Sequence, residues 1–229
     1  MSKVKTEMIE FPCDGERTPG YLARPQDEGM HPGLVVIQEW WGLVPHIKDV
    51  AQRFAGQGFI ALAPDLYHGR AASEPDEARK LAMELEEARA VAEIQAAVRY
   101  LQGLQAVSPS KIGVVGWCMG GHLALSTAAE SRDLGAAVAF YGRPRDVNMA
   151  AQIDAPVLGL YGEHDHGIPV DLVRQFDQAL EQHGVPHEIH IYPGAGHAFF
   201  NDTRPQIYDA EAAQDAWQRT LQWFRRYLT

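Results

Sequence analysis

The apolar and polar positions of this chain follow two alternating periods. Compact apolar runs at 34–40 (LVVIQEW), 59–65 (FIALAPD), 111–117 (KIGVVGW), 136–141, 157–161 and 187–192 have the length and composition of buried strands. Segments 6–11 and 20–24 flank the turn-rich stretch CDGERTP and predict a hairpin. Between the runs lie helix-period segments at 46–57, which stops at Gly58, and at 119–130, 170–183 and 205–228. A long helix is predicted over 75–103, opened by Glu74, Asp76 and Glu77, whose charges suit the positive end of a helix dipole. Strands alternating with helices at this spacing predict an α/β fold. A mostly parallel central sheet of about eight strands would carry helices on both faces, as a single domain over 1–229. In such sheets, sites form at the carboxyl ends of the strands.

Composition narrows the function classes. The 229 residues are 46% apolar and 22% charged, which fits a globular core. Twenty basic against thirty acidic residues give a net charge of −10, which disfavours nucleic acid and anionic membrane as partners. No segment has the length or apolarity of a membrane span or a signal core. Two cysteines, Cys13 and Cys118, do not make a disulfide scaffold. The expectation is a cytoplasmic protein with free thiols, monomeric or a small homo-oligomer, acting on a small molecule.

One cysteine stands in a distinctive place. Gly116-Trp117-Cys118-Met119-Gly120 follows a predicted strand and opens a predicted helix. This is the nucleophile-elbow pattern G-x-S-x-G of α/β-hydrolases with cysteine in place of serine. The sharp turn lifts the side chain above the sheet edge, and small neighbours let flanking backbone pass closely. The helix that follows offers N–H donors and favours a thiolate.

A thiol nucleophile needs a base, and the base needs an orienting acid. The chain order nucleophile, acid, histidine is met by Cys118, Asp165 and His197, the last two lying just past the strands at 157–161 and 187–192. Glu163 competes with Asp165, but it sits closer to the strand on a longer side chain. His164, His166 and His190 lack the spacing of a metal site, so neither metal nor cofactor is expected. After the strand at 34–40, the N–H of Trp40 is the expected second oxyanion donor beside that of Met119. Glu39 would face the thiol or the substrate, and Trp40 and Trp41 would wall an apolar pocket.

Five stretches together resemble the dienelactone hydrolase family: QEWWG at 38–42, APDLY at 63–67, GWCMGG at 116–121, YGEHDHGIP at 161–169 and YPGAGHAF at 192–199. The resemblance spans nearly the whole chain. It implies a cofactor-free carboxymethylenebutenolidase-like α/β-hydrolase with a Cys118–His197–Asp165 triad. It also implies an active-site glutamate at Glu39 that interacts with the resting thiol, and a tyrosine near the substrate at Tyr141. The family's two substrate-clamping arginines have no counterpart, because Pro75 and Asn201 stand at those places. Arg143, which follows a strand end directly, is the best substitute, ahead of Arg70 and Arg79. Trp41, Tyr141, Arg143 and Phe199 are therefore the expected substrate contacts. The expected activity is hydrolysis of a small ester or lactone through a cysteine thioester. The alternatives are a hydrolase-fold protein that binds a ligand without turnover, and a thiol redox protein, for which Cys13 is a poor resolving partner.

Overall fold

The computed structural model describes residues 3–228. Eight strands are present: β1 (Val4–Cys13), β2 (Glu16–Pro25), β3 (Gly33–Ile37), β4 (Ile60–Pro64), β5 (Ile112–Trp117), β6 (Leu134–Phe140), β7 (Val157–Gly162) and β8 (His187–Tyr192). Six α-helices accompany them among these residues: α1 (Pro45–Gly56), α2 (Pro75–Glu84), α3 (Glu87–Gln102), α4 (Met119–Glu130), α5 (Val170–Gln182) and, after the last strand, α6 (Ala210–Tyr227). The strand order is β1-β2-β4-β3-β5-β6-β7-β8. The chain divides within β5 into an N-terminal unit ending at Val114 and a C-terminal unit from Val115 to Tyr227.

In the N-terminal unit, β1 and β2 form an antiparallel ladder closed by a two-residue turn, Asp14-Gly15, with φ of 47° and 86°. Both turn residues need positive φ to match the strand twist, which the Asp-Gly pair supplies. The ladder therefore runs the full length of both strands, longer than the alternation at 6–11 and 20–24 predicts. β2 pairs antiparallel with β4, and β4 parallel with β3. Both β3 and β4 are buried throughout, as their unbroken apolar runs require. α1 and α3 pack against these strands.

Two boundaries differ from expectation here. β3 ends at Ile37, so Glu39, Trp40 and Trp41 belong to the loop beyond it. The helix predicted over 75–103 is two helices, separated by extended backbone at Leu85 and Glu86. The apolar stripe explains the break. α2 buries Ala78 and Leu81, and continuing that stripe leads to Leu85 and then to Arg89. α3 instead buries Ala90, Val91, Ile94, Ala97 and Leu101. One straight helix cannot bury both faces.

In the C-terminal unit, β6, β7 and β8 run parallel. α4 packs on β6, α5 on β8, and α6 on β6 and β7. α6 starts later than the expected Pro205, because Asp209 Oδ1 accepts the N–H of Ala212 at 3.1 Å and caps the helix there. A 3₁₀ turn at Val147–Gln152, capped by Asp146, was not predicted. No helix among the described residues is long and apolar enough to cross a membrane.

Candidate active site

Cys118 sits between β5 and α4 with φ 55° and ψ −115°, a conformation that side-chain-bearing residues rarely adopt. Its surroundings hold it there. Its N–H donates to the Phe140 carbonyl at 3.0 Å, and its carbonyl accepts the N–H of His122 at 3.0 Å. A Cβ on Gly116 would lie 2.0 Å from the Gly120 carbonyl oxygen, and one on Gly142 would lie 2.3 Å from the Gly121 carbonyl carbon. Only hydrogen atoms fit at these crossings. The thiol is half-buried, and the N–H of Met119 lies in the first turn of α4, at the positive end of its dipole.

His197 lies on the loop after β8, and Asp165 on the loop after β7. His197 Nδ1 donates to Asp165 Oδ2 at 2.6 Å. The other carboxylate oxygen accepts the N–H groups of Gly167 (2.9 Å) and Ile168 (3.1 Å). The Asp165 side chain is 1% exposed, so these bonds fix its plane. The second side-chain bond of His197 is to Cys118. Burial is the largest single influence on this imidazole and favours its neutral form. Hydrogen bonds to Asp165 and Cys118, with the charges on both, outweigh burial and push the pKa up to about 10. The structure thus joins Cys118, His197 and Asp165 in one hydrogen-bonded line. Glu163 turns elsewhere and accepts the N–H of Gly194 at 2.9 Å.

Two expected substrate contacts in this unit are core residues. Phe199 is fully buried, its ring 5.3 Å from that of Tyr141 and 5.1 Å from that of Tyr192. Tyr141 is also fully buried, with φ 39° and its ring 5.0 Å from the His197 imidazole. Both support the histidine loop from beneath, and neither is open to a ligand. The apolar alternation marks them as aromatic but cannot tell a pocket wall from a core layer. Asn201, which stands where the family places an arginine, is buried, and its Oδ1 accepts both the N–H and the hydroxyl of Thr203. Pro75 is the first residue of α2. Arg143 extends to the Gly167 carbonyl at 2.8 Å. His164 and His166 are exposed on the acid loop, and His190 packs on Tyr192 with its ring centroid at 4.5 Å. A cleft of about 640 Å³ borders His197 and is lined also by His164, His166, Ile207 and Tyr208.

In the N-terminal unit, Glu39 is 2% exposed and its carbonyl accepts the N–H of Gly42 at 3.2 Å. Trp40 and Trp41 meet edge to face with centroids 5.1 Å apart. The turn after β4 braces their loop. Tyr67 donates its hydroxyl to the Trp40 carbonyl at 3.1 Å, Ala72 donates its N–H to the Trp41 carbonyl at 3.0 Å, and Gln38 Oε1 accepts the N–H of Leu66 at 3.2 Å. Arg70 pairs with Glu84 at 2.8 Å, and Arg79 with Asp76 at 3.0 Å.

The sequence pattern does not announce His122, the braces from Tyr67 and Gln38, or the positive φ of 62° at Ala198 beside the histidine. A histidine four residues after the nucleophile, on the same helix face, was the one available signal.

Comparison with known proteins gives the family. The profile of the dienelactone hydrolase family matches residues 18–228. "Protein usf" of Aquifex pyrophilus is 39% identical over 97% of this chain and 99% of its own length. A Methylorubrum extorquens protein described as "Putative carboxymethylenebutenolidase" is 37% identical over 96% of this chain and 80% of its own. A crystal structure from Klebsiella pneumoniae, described as "Putative Dienelactone Hydrolase", superposes with a TM-score of 0.91 at 33% identity, covering 99% of this chain and all of that one. The chain is therefore a hydrolase of the α/β-hydrolase fold and belongs to the dienelactone hydrolase family.

Proposed function

We propose that the protein hydrolyses a small ester or lactone through a thioester on Cys118. The observation that carries this is the continuous Cys118–His197–Asp165 hydrogen-bonded line on a nucleophile turn. The raised pKa of His197 favours an imidazolium, which holds the proton the leaving group needs.

The thiolate attacks the carbonyl carbon, forming a C–S bond and moving an electron pair onto the carbonyl oxygen. The N–H of Met119, in the first turn of α4, is the donor that stabilises that oxyanion. Such donors contribute about 3–4 kcal/mol each to transition-state stabilisation. As the intermediate collapses, the ester C–O bond breaks and the leaving alkoxide takes the proton from His197. In the thioester, Cys118 no longer carries charge or accepts a hydrogen bond, so two of the influences that raise the His197 pKa vanish. The imidazole becomes a base at the step that needs one. It takes a proton from water as the water attacks the thioester, and cleavage of the C–S bond releases the acid and restores the ion pair.

The M. extorquens relative is described as "Putative carboxymethylenebutenolidase". Asn201 and Pro75 cannot form a bidentate carboxylate clamp, so a neutral ester or lactone suits this chain better than a carboxylated one. Turnover of p-nitrophenyl acetate by the wild type tests the proposal. Cys118→Ala should lower kcat by at least about 10³-fold, in line with loss of a nucleophile. Undiminished turnover in that variant contradicts the proposal.

A further inference from the structure

Arg143 leaves the end of β6 in a segment with almost no freedom. The Gly142 backbone presses on that of Gly121, the Gly142 carbonyl accepts the Tyr161 hydroxyl at 3.1 Å, and the Tyr141 N–H donates to the Leu160 carbonyl at 2.7 Å. From this fixed base the guanidinium Nη1 donates to the Gly167 carbonyl at 2.8 Å. Gly167 donates its own N–H to Asp165 Oδ1, so the residue that Arg143 grips is one that orients the carboxylate. On the other side, the Arg143 carbonyl accepts Nδ1–H of His122 at 2.8 Å. The backbone N–H of His122 in turn reaches the Cys118 carbonyl. Joined through His197, these bonds close a circuit: Cys118, His122, Arg143, Gly167, Asp165, His197 and back to Cys118.

We propose that Arg143 is a positioning residue, which with His122 ties the turn bearing Asp165 to the turn bearing Cys118, and is not a clamp for a substrate carboxylate. This rests on the triad assigned above. The nucleophile, the acid and the base come from three separate loops; the acid and histidine loops are joined by the His164 N–H to the Ala195 carbonyl at 2.8 Å and by the Gly194 N–H to Glu163, and Arg143 with His122 adds the tie from the acid loop to the nucleophile turn. The bond is exposed, so what the planar, charged guanidinium supplies is direction more than strength. A displacement of about 1 Å among reacting groups can cost on the order of 10²-fold in rate. The tie therefore acts on kcat and on the charge state of His197, and not on substrate affinity. The titratable groups that touch His197 are Cys118 from the β5–α4 turn, Asp165 from the β7–α5 loop and Tyr141 at the end of β6, and His164, His166, Tyr208 and Asp209 line the cleft it borders.

Arg143→Ala and Arg143→Lys, assayed with p-nitrophenyl acetate and with an ester bearing a free carboxylate, test the proposal. The alanine variant should lose about 10- to 100-fold in kcat on both esters, with KM little changed. The alkaline limb of its kcat/KM profile should move to lower pH as Asp165 loses alignment with His197. Lysine should restore part of kcat. A raised KM confined to the carboxylated ester, with the neutral ester and the limb unchanged, overturns the proposal. So does a fall in thermal stability with unchanged kcat per folded molecule and an unmoved limb. Turnover by Cys118→Ala in the same assay signals failure of the triad itself; loss of turnover there with a silent Arg143→Ala signals failure of the tie alone.

Discussion

Two turns of the molecule, at the β1–β2 hairpin and at the nucleophile, use the same backbone departure to different ends. At the tip of the β1–β2 hairpin, Asp14 and Gly15 have φ of 47° and 86°, and a Cβ on Gly15 would meet nothing within 4 Å. At the nucleophile turn, Cys118 has φ 55°, and glycines on either side sit where a Cβ would meet backbone at 2.0 and 2.7 Å. The hairpin is strained only in its own dihedrals and gives way into solvent. The nucleophile turn is clamped by neighbouring backbone, so its side chain has one place to be. Strain persists at a functional site when the surroundings over-determine it, and here the determinants are the missing side chains of Gly116 and Gly121.

Substitutions at the two turns sharpen the contrast. Gly116→Ala forces a Cβ against the Gly120 carbonyl, which is backbone and cannot swing away. The expected cost exceeds about 4 kcal/mol, at the exceptional end of single substitutions, with loss of esterase activity in whatever folds. Gly15→Ala meets only the positive-φ penalty of about 1–2 kcal/mol and should leave kcat untouched. Denaturant midpoints and p-nitrophenyl acetate turnover on both variants check this. Equal costs at the two sites would show that packing around Cys118 matters no more than its dihedrals.

A smaller effect separates the turns by pH. The His197 pKa is raised from 6.5 to about 10 in the folded protein, so its stabilising contribution is complete below about 6.5 and is lost as pH rises through about 10. Activity per folded molecule should fall over the same upper range, as the imidazolium that pairs with the thiolate and protonates the leaving group disappears. The hairpin has no such ion pair: burial raises the pKa of the Cys13 thiol beside its turn, and its exposed Glu10–Arg17 pair contributes little. A kcat/KM profile with its alkaline limb near 7 would contradict the paired state of His197.

Much of this was legible in the sequence because it depends on position along the chain. Unbroken apolar runs marked β3, β4, β5 and β7, and Cys118, Asp165 and His197 stood out because each follows a strand end. The helix break at Leu85 was legible too, in the phase slip between Leu81 and Ala90, although no proline or glycine announces it. What stayed hidden depends on which loops meet. An arginine after a strand is as consistent with gripping a substrate as with gripping Gly167, and only the fold brings that carbonyl to 2.8 Å. Likewise Phe199 and Tyr141 have the chemistry of pocket residues, and burial in the aromatic layer under His197 makes them supports instead.

The most direct test of the central claim is to trap the covalent species. Wild-type protein mixed with p-nitrophenyl acetate and quenched in acid within the first turnover should carry one acetyl group, and peptide mapping should find it on Cys118 as a thioester labile to hydroxylamine. Rapid nitrophenolate release with no acyl group on Cys118, or with the acyl group on another residue, would contradict a thioester at the nucleophile turn.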